Sequence, residues 1–406
     1  MASKLGYSAA IVGIGRCMTK RDDAEKLTAL QLGSISSAQA IQKAGIKRSQ
    51  VGAFFTGRCP TSYRTLQYNQ TLLNELKIAP IFNTEVTAHG AGALGTIELG
   101  VLAVNSGLCD YALCVTNEAS GVWLKDKVGQ NAAGESNPQF EAPFGPTTPS
   151  LYAQVACRYM HEYGATSEML AKVGVESRNW AITHPYAAMR NRGKITIDDV
   201  LNSRMIASPL HLLDCAVNYP GGISTAFIIT RADLAKNHPN PTWIAGFGQQ
   251  TTHEWISERM GAYDLDPIGA EPNLTNTGCA TAAKQAYEMS GLKPKDIDIV
   301  QTSAPFSFVH LMMLEELGFC KKGEGGAFVM DGNIDFDGGM AFNTMGGYLS
   351  FGQMAQGLYN LHETVDQIWG QAEGRQVPDA EVGLVHGHGG ILASHSVMIV
   401  SRERAQ

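Results

Sequence analysis

The chain has 406 residues, of which 44 % are hydrophobic and 17 % charged, with a formal net charge of −7. That length suits two cores of ordinary size or one large α/β unit, and the acidic balance argues against a nucleic-acid partner while leaving room for a local basic patch. No apolar run approaches the ~20 residues of a membrane helix, and "MASKLGYSAAIVGIGRC" shows neither the long apolar stretch nor the cleavage pattern of a signal peptide.

The first element, "SAAIVGIGRC", reads as a buried strand. Gly13 and Gly15 raise a dinucleotide fingerprint, but the third glycine and the following acidic residue are missing, so a strand ending in a glycine turn is expected. "AQAIQKAGIKRSQVGAFFTG" (Ala38–Gly57) then resembles "AKQAYEMSGLKPKDIDIVQTS" (Ala283–Ser303). Each is a helix ended by a glycine, Gly45 or Gly291, followed by Lys47 or Lys293, a short spacer and an apolar strand. The repeat predicts two similar α/β halves packing their sheets among helices. The first half spans 1–240 with an inserted, loop-rich region at about 122–205, and the second spans 241–406. Within the insertion "SLYAQVACRYMHEYG" is read as an amphipathic helix, and the region as a binding loop or a dimer contact.

Between these, "EVTAHGAGALGTIELG" (Glu85–Gly100) reads as a strand end, a sharp turn and a helix opened by small residues. A nucleophile commonly stands at such a helix N-terminus; here the position is His89. Gly90, Ala91 and Gly92 keep the turn tight, so its backbone N–H groups can serve a developing oxyanion, a contribution of roughly 3–4 kcal/mol per donor. The alternative is that small residues only permit helix packing. Near the other end, "VHGHGG" places His386 and His388 two residues apart in a strand, on one face, and imidazole titrates near neutrality. A metal pair is weighed and set aside for want of a third ligand. "GGYLSFGQ" places Tyr348 after two glycines, Gly346 and Gly347, which let the loop approach a ligand. His253 and Tyr263 follow the first strand of the second half, and Asn117 ends a strand opposite the His89 turn. The eight cysteines form no CxxC pair, which suits free thiols in a reducing cytoplasm and no bound metal.

These stretches, with "VNSGLCDYALCVTNE", "LLDCAVNYPGGISTAFIIT", "LEELGFCKKGEGGAFVMDG" and "FNTMGGYLSFGQMAQG", resemble the thiolase superfamily nearly end to end. Within it they are similar to the sterol-carrier-protein-x, lipid-transfer-type branch. The resemblance implies a duplicated five-layered αβαβα fold, a homodimer core, and an acyl-CoA substrate, with coenzyme A as part of the substrate and no tightly bound cofactor. The family's nucleophilic cysteine falls on His89. Its Asn-Glu-Ala-Phe element falls on Ser303–Phe306, its Gly-His-Pro histidine on Gln353, and its last element on His386–Gly390. Three departures in four suggest a reaction with no acyl-enzyme. Retro-aldol cleavage of a β-hydroxyacyl-CoA needs only an acid/base pair and donors for the thioester oxygen. Some relatives of this kind lack the cysteine and use tyrosines. The alternatives are an acyltransferase carrying the acyl group on His89 or a displaced cysteine, and a non-catalytic subunit. Tyr348, His386, His388 and His89 are the expected chemical residues. Gly90, Asn117, His253, Tyr263, Ser303, Gly347, Gln353, Gly389 and Gly390 are expected to line the substrate. The resemblance also implies a small zinc-ribbon/OB-fold partner protein.

Overall fold

The structure, a computed structural model, describes residues 5–20, 23, 26–63, 67–119, 121, 136–253, 255–259, 273–353 and 358–404, with His89, Glu258 and Arg259 described through their backbone alone. Tyr263 and part of the expected insertion lie outside the described residues.

The first half contributes strands β1 (Ala9–Lys20), β2 (Val51–Gly57), β3 (Phe82–Val86) and β4 (Tyr111–Glu118). A small hairpin, β5 (Met205–Ala207) with β6 (Leu210–His211), precedes the closing strand β7 (Gly221–Arg231). The second half contributes β8 (Thr242–Thr251), β9 (Ile299–Thr302), β10 (Ala341–Phe342), β11 (Val382–Gly389) and β12 (Ser394–Ser401). The first half pairs in the order β1-β7-β4-β2-β3 and the second in the order β8-β12-β11-β9-β10. The directions match as well. The first two contacts in each half are antiparallel and the last two parallel. The halves join through antiparallel pairing of Ala10 with Trp243 and Ile11 with Thr242.

The repeat seen in the sequence therefore occupies equivalent places. Helix Ala29–Ala44 and helix Cys279–Ser290 each end on a left-handed glycine, Gly45 at φ 67° and Gly291 at φ 74°, and lead through one short 3-10 turn into β2 or β9. Thr28 starts the first helix with a reciprocal cap: its hydroxyl accepts from the Gln31 N–H and its own N–H donates to the Gln31 side chain.

Strand alternation sorts the layers. Ile11, Phe55, Cys114 and Phe227 of the first half meet Ile244, Val385 and Met398 of the second in one buried cluster, filled by Leu94, Ile97 and Val101 of helix Gly92–Asn105 and Leu361 and Val365 of helix Leu358–Ile368. Those two central helices are buried around almost their whole circumference, as a helix between two sheets must be. The opposite faces, with Val12, Phe54 and Leu113, pack on Ala40 and Ile41 of an outer helix. This is the duplicated αβαβα arrangement the resemblance implies.

One expectation is corrected. β1 does not end in a glycine turn but runs through both Gly13 and Gly15 to Lys20. A Cβ on Gly13 would stand 2.3 Å from the Ala40 carbonyl oxygen, and one on Gly15 would stand 1.9 Å from that of Ser36. The glycines let helix Ala29–Ala44 lie directly on the strand. Gly246 and Gly248 of β8 do the same beneath Ala286 and Ala282.

Candidate active site

β11 is the axis of the site, and its two faces do different things. Val385 belongs to the central cluster and Leu384 to an outer one. By the two-residue period Gly387 faces inward while His386 and His388 face outward.

On the inner face the His89 turn docks against bare backbone. His89–Ala91 is a single 3-10 turn leading into helix Gly92–Asn105. A Cβ on Gly90 would lie 2.1 Å from the His388 carbonyl oxygen, and one on Gly387 would lie 3.3 Å from the Gly90 carbonyl oxygen. At Gly90 only glycine allows this approach, and at Gly387 a side chain would be tight. Deeper along the same helix, Glu98 accepts a 2.6 Å hydrogen bond from the Ser396 hydroxyl, and burial raises its carboxyl to about 7.

On the outer face the rings of His386 and His388 stack 6.0 Å apart, within 5° of parallel, so the shared face read from the sequence is what forms. His388 Nδ1 is hydrogen-bonded to the Ser303 carbonyl oxygen, and its Nε2 lies 2.8 Å from the Tyr152 hydroxyl, which also reaches the Gly390 carbonyl at 3.0 Å. A carbonyl can only accept, so Nδ1 carries the hydrogen, and the Nε2 lone pair competes with the Gly390 carbonyl for the single hydrogen of the phenol. Burial holds His388 down to about 4, so the imidazole is neutral at pH 7. Ser303 is fixed in turn: its N–H donates to the His386 carbonyl at 3.0 Å, and its hydroxyl accepts from Asn360 at 3.0 Å. His386 Nε2 lies 3.0 Å from His395 Nδ1. Burial, then the neighbouring histidines 395, 388 and 310, push His386 well below its usual range. His310, bonded through Nδ1 to the Thr302 hydroxyl at 2.8 Å, is lowered to about 3 by burial and by His388.

Tyr348 stands in a π-helical turn, Gly347–Gly352, made possible by positive φ at Gly346, Gly347 and Gly352. A strap of residues 215–219 connects this turn to Ser303–Phe306. Along the strap, the Ala216 N–H donates to the Pro305 carbonyl at 2.7 Å and the Val217 N–H donates to the Tyr348 carbonyl at 2.9 Å. Gln353 follows, bridged to Asn218 and exposed. His253 is buried just beyond β8, next to Thr252, whose N–H donates to the Ala393 carbonyl at 2.8 Å. Gly389 closes β11 opposite Ser394, and Gly390 turns with φ 62°.

Asn117 does not join this group. Leu113 and Val115 of β4 face the outer helices, and Asn117 follows their parity. Its amide donates to the Ala29 carbonyl at 2.5 Å and to the Tyr68 hydroxyl. It ties helix Ala29–Ala44 to β4, on the face away from the His89 turn. Tyr263 and the His89 side chain lie outside what the structure describes.

Four side chains near β11 are absent from the sequence-derived set: Tyr152, His310, His395 and Cys279. Only His395 had a legible signal. The tight turn in "HGHGGILASHS" folds β12 back on β11 and sets His395 opposite His388.

A fold of two equivalent five-stranded halves, with a glycine-lined helix turn pressed on an HGHGG strand, marks a class, and comparison with known proteins agrees. Residues 262–402 match the family model described as "Thiolase C-terminal domain-like". The chain belongs to the thiolase superfamily. It is 34 % identical over 380 residues to a steroid side-chain-cleaving aldolase of Thermomonospora curvata, covering 91 % of this chain and 92 % of that one. It is 33 % identical over 370 residues to an acetyl-CoA acetyltransferase of Methanothermobacter thermautotrophicus, covering 89 % and 92 %. The solved structure of an Ltp2-ChsH2(DUF35) aldolase superposes with a TM-score of 0.81 at 30 % identity, covering 98 % of this chain and 99 % of that one. Its branch of the superfamily is that of the thiolase-like aldolases. No helix among the described residues is long and apolar enough to cross a membrane.

Proposed function

We propose that this protein is a carbon–carbon lyase that cleaves a β-hydroxyacyl-CoA by retro-aldol chemistry, without a covalent acyl-enzyme. The observation that carries the reading is the Tyr152–His388 pair at the end of the strand on which the His89 turn docks. Acyl transfer needs a nucleophile that holds the acyl group. Retro-aldol cleavage needs a group that takes the β-hydroxyl proton, donors for the thioester oxygen, and a proton for the enolate. The phenol beside a neutral imidazole can supply and recover protons, and the helix turn can supply donors. The balance is complete: the hydroxyl loses its proton, Cα–Cβ breaks to leave a carbonyl product, and the enolate takes a proton to become the shortened acyl-CoA. Tyr348 is the second tyrosine within this reading, and Ser303, Gly389 and Gly390 shape the end of the pocket. The names of the similar aldolases support the reaction class.

The named acetyltransferase relative supports a second reading, acyl transfer to coenzyme A. Free coenzyme A distinguishes them. A lyase turns over a β-hydroxyacyl-CoA in its absence and releases an aldehyde or ketone; an acyltransferase consumes it in proportion to product. Turnover that requires free coenzyme A, with an acyl group trapped on the chain, would overturn the lyase reading. A division at 240/241 and a homodimer core belong to the same proposal. So does a small zinc-ribbon/OB-fold partner, supported by the DUF35 component named with the structural neighbour. Co-purification with such a partner on co-expression tests it, and a homodimer fully active alone would count against it.

A further inference from the structure

The HGHGG strand presents two imidazoles to the outer face, and only His388 engages Tyr152. His386 points toward a different set of groups. Cys279, at the first position of helix Cys279–Ser290, His386 on β11 and His395 on β12 each offer one donor atom, and these three atoms lie within 4.8 Å of one another. All three residues are completely buried.

We infer that Cys279, His386 and His395 form a binding site for a single zinc-class divalent cation. One sulfur and two imidazole nitrogens are the donor set that such an ion selects. In tetrahedral geometry two nitrogens each about 2 Å from one zinc ion stand roughly 3.3 Å apart. The observed separation of His386 Nε2 and His395 Nδ1 is 3.0 Å.

The surroundings orient the donors. His395 Nε2 lies 3.2 Å from the Leu392 carbonyl, which can only accept, so Nε2 carries the hydrogen and Nδ1 presents a lone pair. His386 then has two options. It can donate its own Nε2 hydrogen to that lone pair, which leaves its Nδ1 lone pair buried with no hydrogen-bond partner among the described residues. Or it presents a second lone pair at 3.0 Å, which leaves its Nδ1 hydrogen as the group without a partner among the described residues; two lone pairs facing each other at that distance are favourable only with a cation between them. Cys279 brings the third donor. It sits at a helix N-terminus, but burial pushes its thiol well above the usual range, so the thiolate forms only as the ion displaces the proton. Binding releases the thiol proton to solvent, the ion takes the sulfur lone pair, and one coordination position remains for a non-protein ligand.

The three ligands come from three separate segments, and two of them frame the turn that carries Gly389 and Gly390. The ion would therefore clasp the β11–β12 hairpin to helix Cys279–Ser290. His386 becomes a ligand rather than a proton carrier, and proton transfer is left to Tyr152, His388 and Tyr348. This inference stands whichever reaction the protein performs, because its readouts are metal content and stability.

The test is elemental analysis of the full-length protein after dialysis without chelator, with cobalt(II) reconstitution of the stripped protein. The expected result is about one equivalent of zinc per chain and a cobalt spectrum with thiolate charge-transfer and tetrahedral ligand-field bands. Chelator should lower the melting temperature of the wild type. Cys279→Ser and His395→Gln, each checked for native circular dichroism, should lose the metal and the charge-transfer band or its geometry. A wild type that retains less than about a tenth of an equivalent, and shows neither a cobalt spectrum nor a thermal shift with added zinc, overturns the site. Folded variants that hold as much zinc as the wild type overturn the ligand assignment.

Discussion

The hydroxyl of Tyr152 and Nε2 of His388 stand 2.8 Å apart, joining the inserted helix Thr148–Tyr163 to the end of β11 across 236 residues of sequence. If this pair moves the proton, Tyr152→Phe should lower kcat by ~10²–10⁴-fold with little change in KM. His388→Gln should do the same, and the double variant should be no worse than either single one, because the two act as a unit. His89→Ala should cost less than either. Steady-state kinetics on β-hydroxyacyl-CoA thioesters decides it. If Tyr348→Phe alone abolishes turnover and Tyr152→Phe leaves it intact, the proton passes through Tyr348.

Gly90 has no room for a side chain. A methyl there would meet the His388 carbonyl oxygen at 2.1 Å, a backbone atom that cannot swing aside. Gly90→Ala should destabilise the protein by about 1–3 kcal/mol, the usual range for overpacking, and should depress activity more than Gly45→Ala, at a helix-ending turn with open space around it. Thermal denaturation alongside kinetics separates the two losses.

Glu98 makes stability fall as pH rises through neutrality. Its carboxyl titrates near 4.5 when exposed and near 7 when buried. Between those values the folded chain holds a proton that the unfolded chain has released, so raising the pH across the window favours unfolding. The full effect is up to about 3 kcal/mol at 1.36 kcal/mol per pH unit. Glu98→Gln keeps an acceptor for Ser396 and cannot ionise. Its stability relative to wild type should therefore grow between pH 5 and pH 8, and a constant difference would refute the assignment.

Acid acts through the histidines, with the opposite sign. His388 is held down to about 4 and His310 to about 3, both by burial, against an ordinary 6.5. Below pH 6.5 the unfolded chain takes up protons that the folded chain refuses, so stability is lost progressively as pH falls toward 4. Urea titrations at pH 7, 6 and 5 should show falling midpoints, with a shallower fall in a folded His310→Gln variant.

A buried ion pair secures the second central helix. Arg375 reaches Glu363 with Nε at 2.9 Å to one oxygen and Nη2 at 2.6 Å to the other, and both side chains are almost fully buried. Glu363 also accepts from the Thr344 hydroxyl and from Gln367. Arg375→Met would strand the carboxylate, at a cost of about 3–5 kcal/mol. Replacing both with apolar residues should restore part of the loss, as a double-mutant unfolding series would reveal.

The fold was legible wherever local chemistry determines it. Gly45 and Gly291 announce helix ends because only glycine takes the left-handed turn cheaply, and the helix–glycine–strand repeat follows from them. Gly13 and Gly15 misled, because a glycine that admits a neighbouring helix looks, in one dimension, like a glycine that makes a turn. Their counterparts Gly246 and Gly248 carried the corrective signal. In the site, His386 and His388 share a face as their spacing requires. Tyr152 could not be read out: its role depends on an inserted helix crossing to β11, a tertiary contact with no local signature. Asn117 belongs to the expected pocket lining chiefly by analogy with the family, whereas strand parity turns it toward helix Ala29–Ala44.

β11 acts as a partition. The helix turn at His89 presses on one side of it, and the imidazoles occupy the other, so a molecule cannot reach both through the sheet. The two sides come together past the end of the strand, where Gly389 pairs with Ser394 and the chain turns at Gly390. Only three carbons join the thioester oxygen and the hydroxyl oxygen of a β-hydroxyacyl thioester, so one such molecule would meet both the turn and the phenol only at that end of the strand.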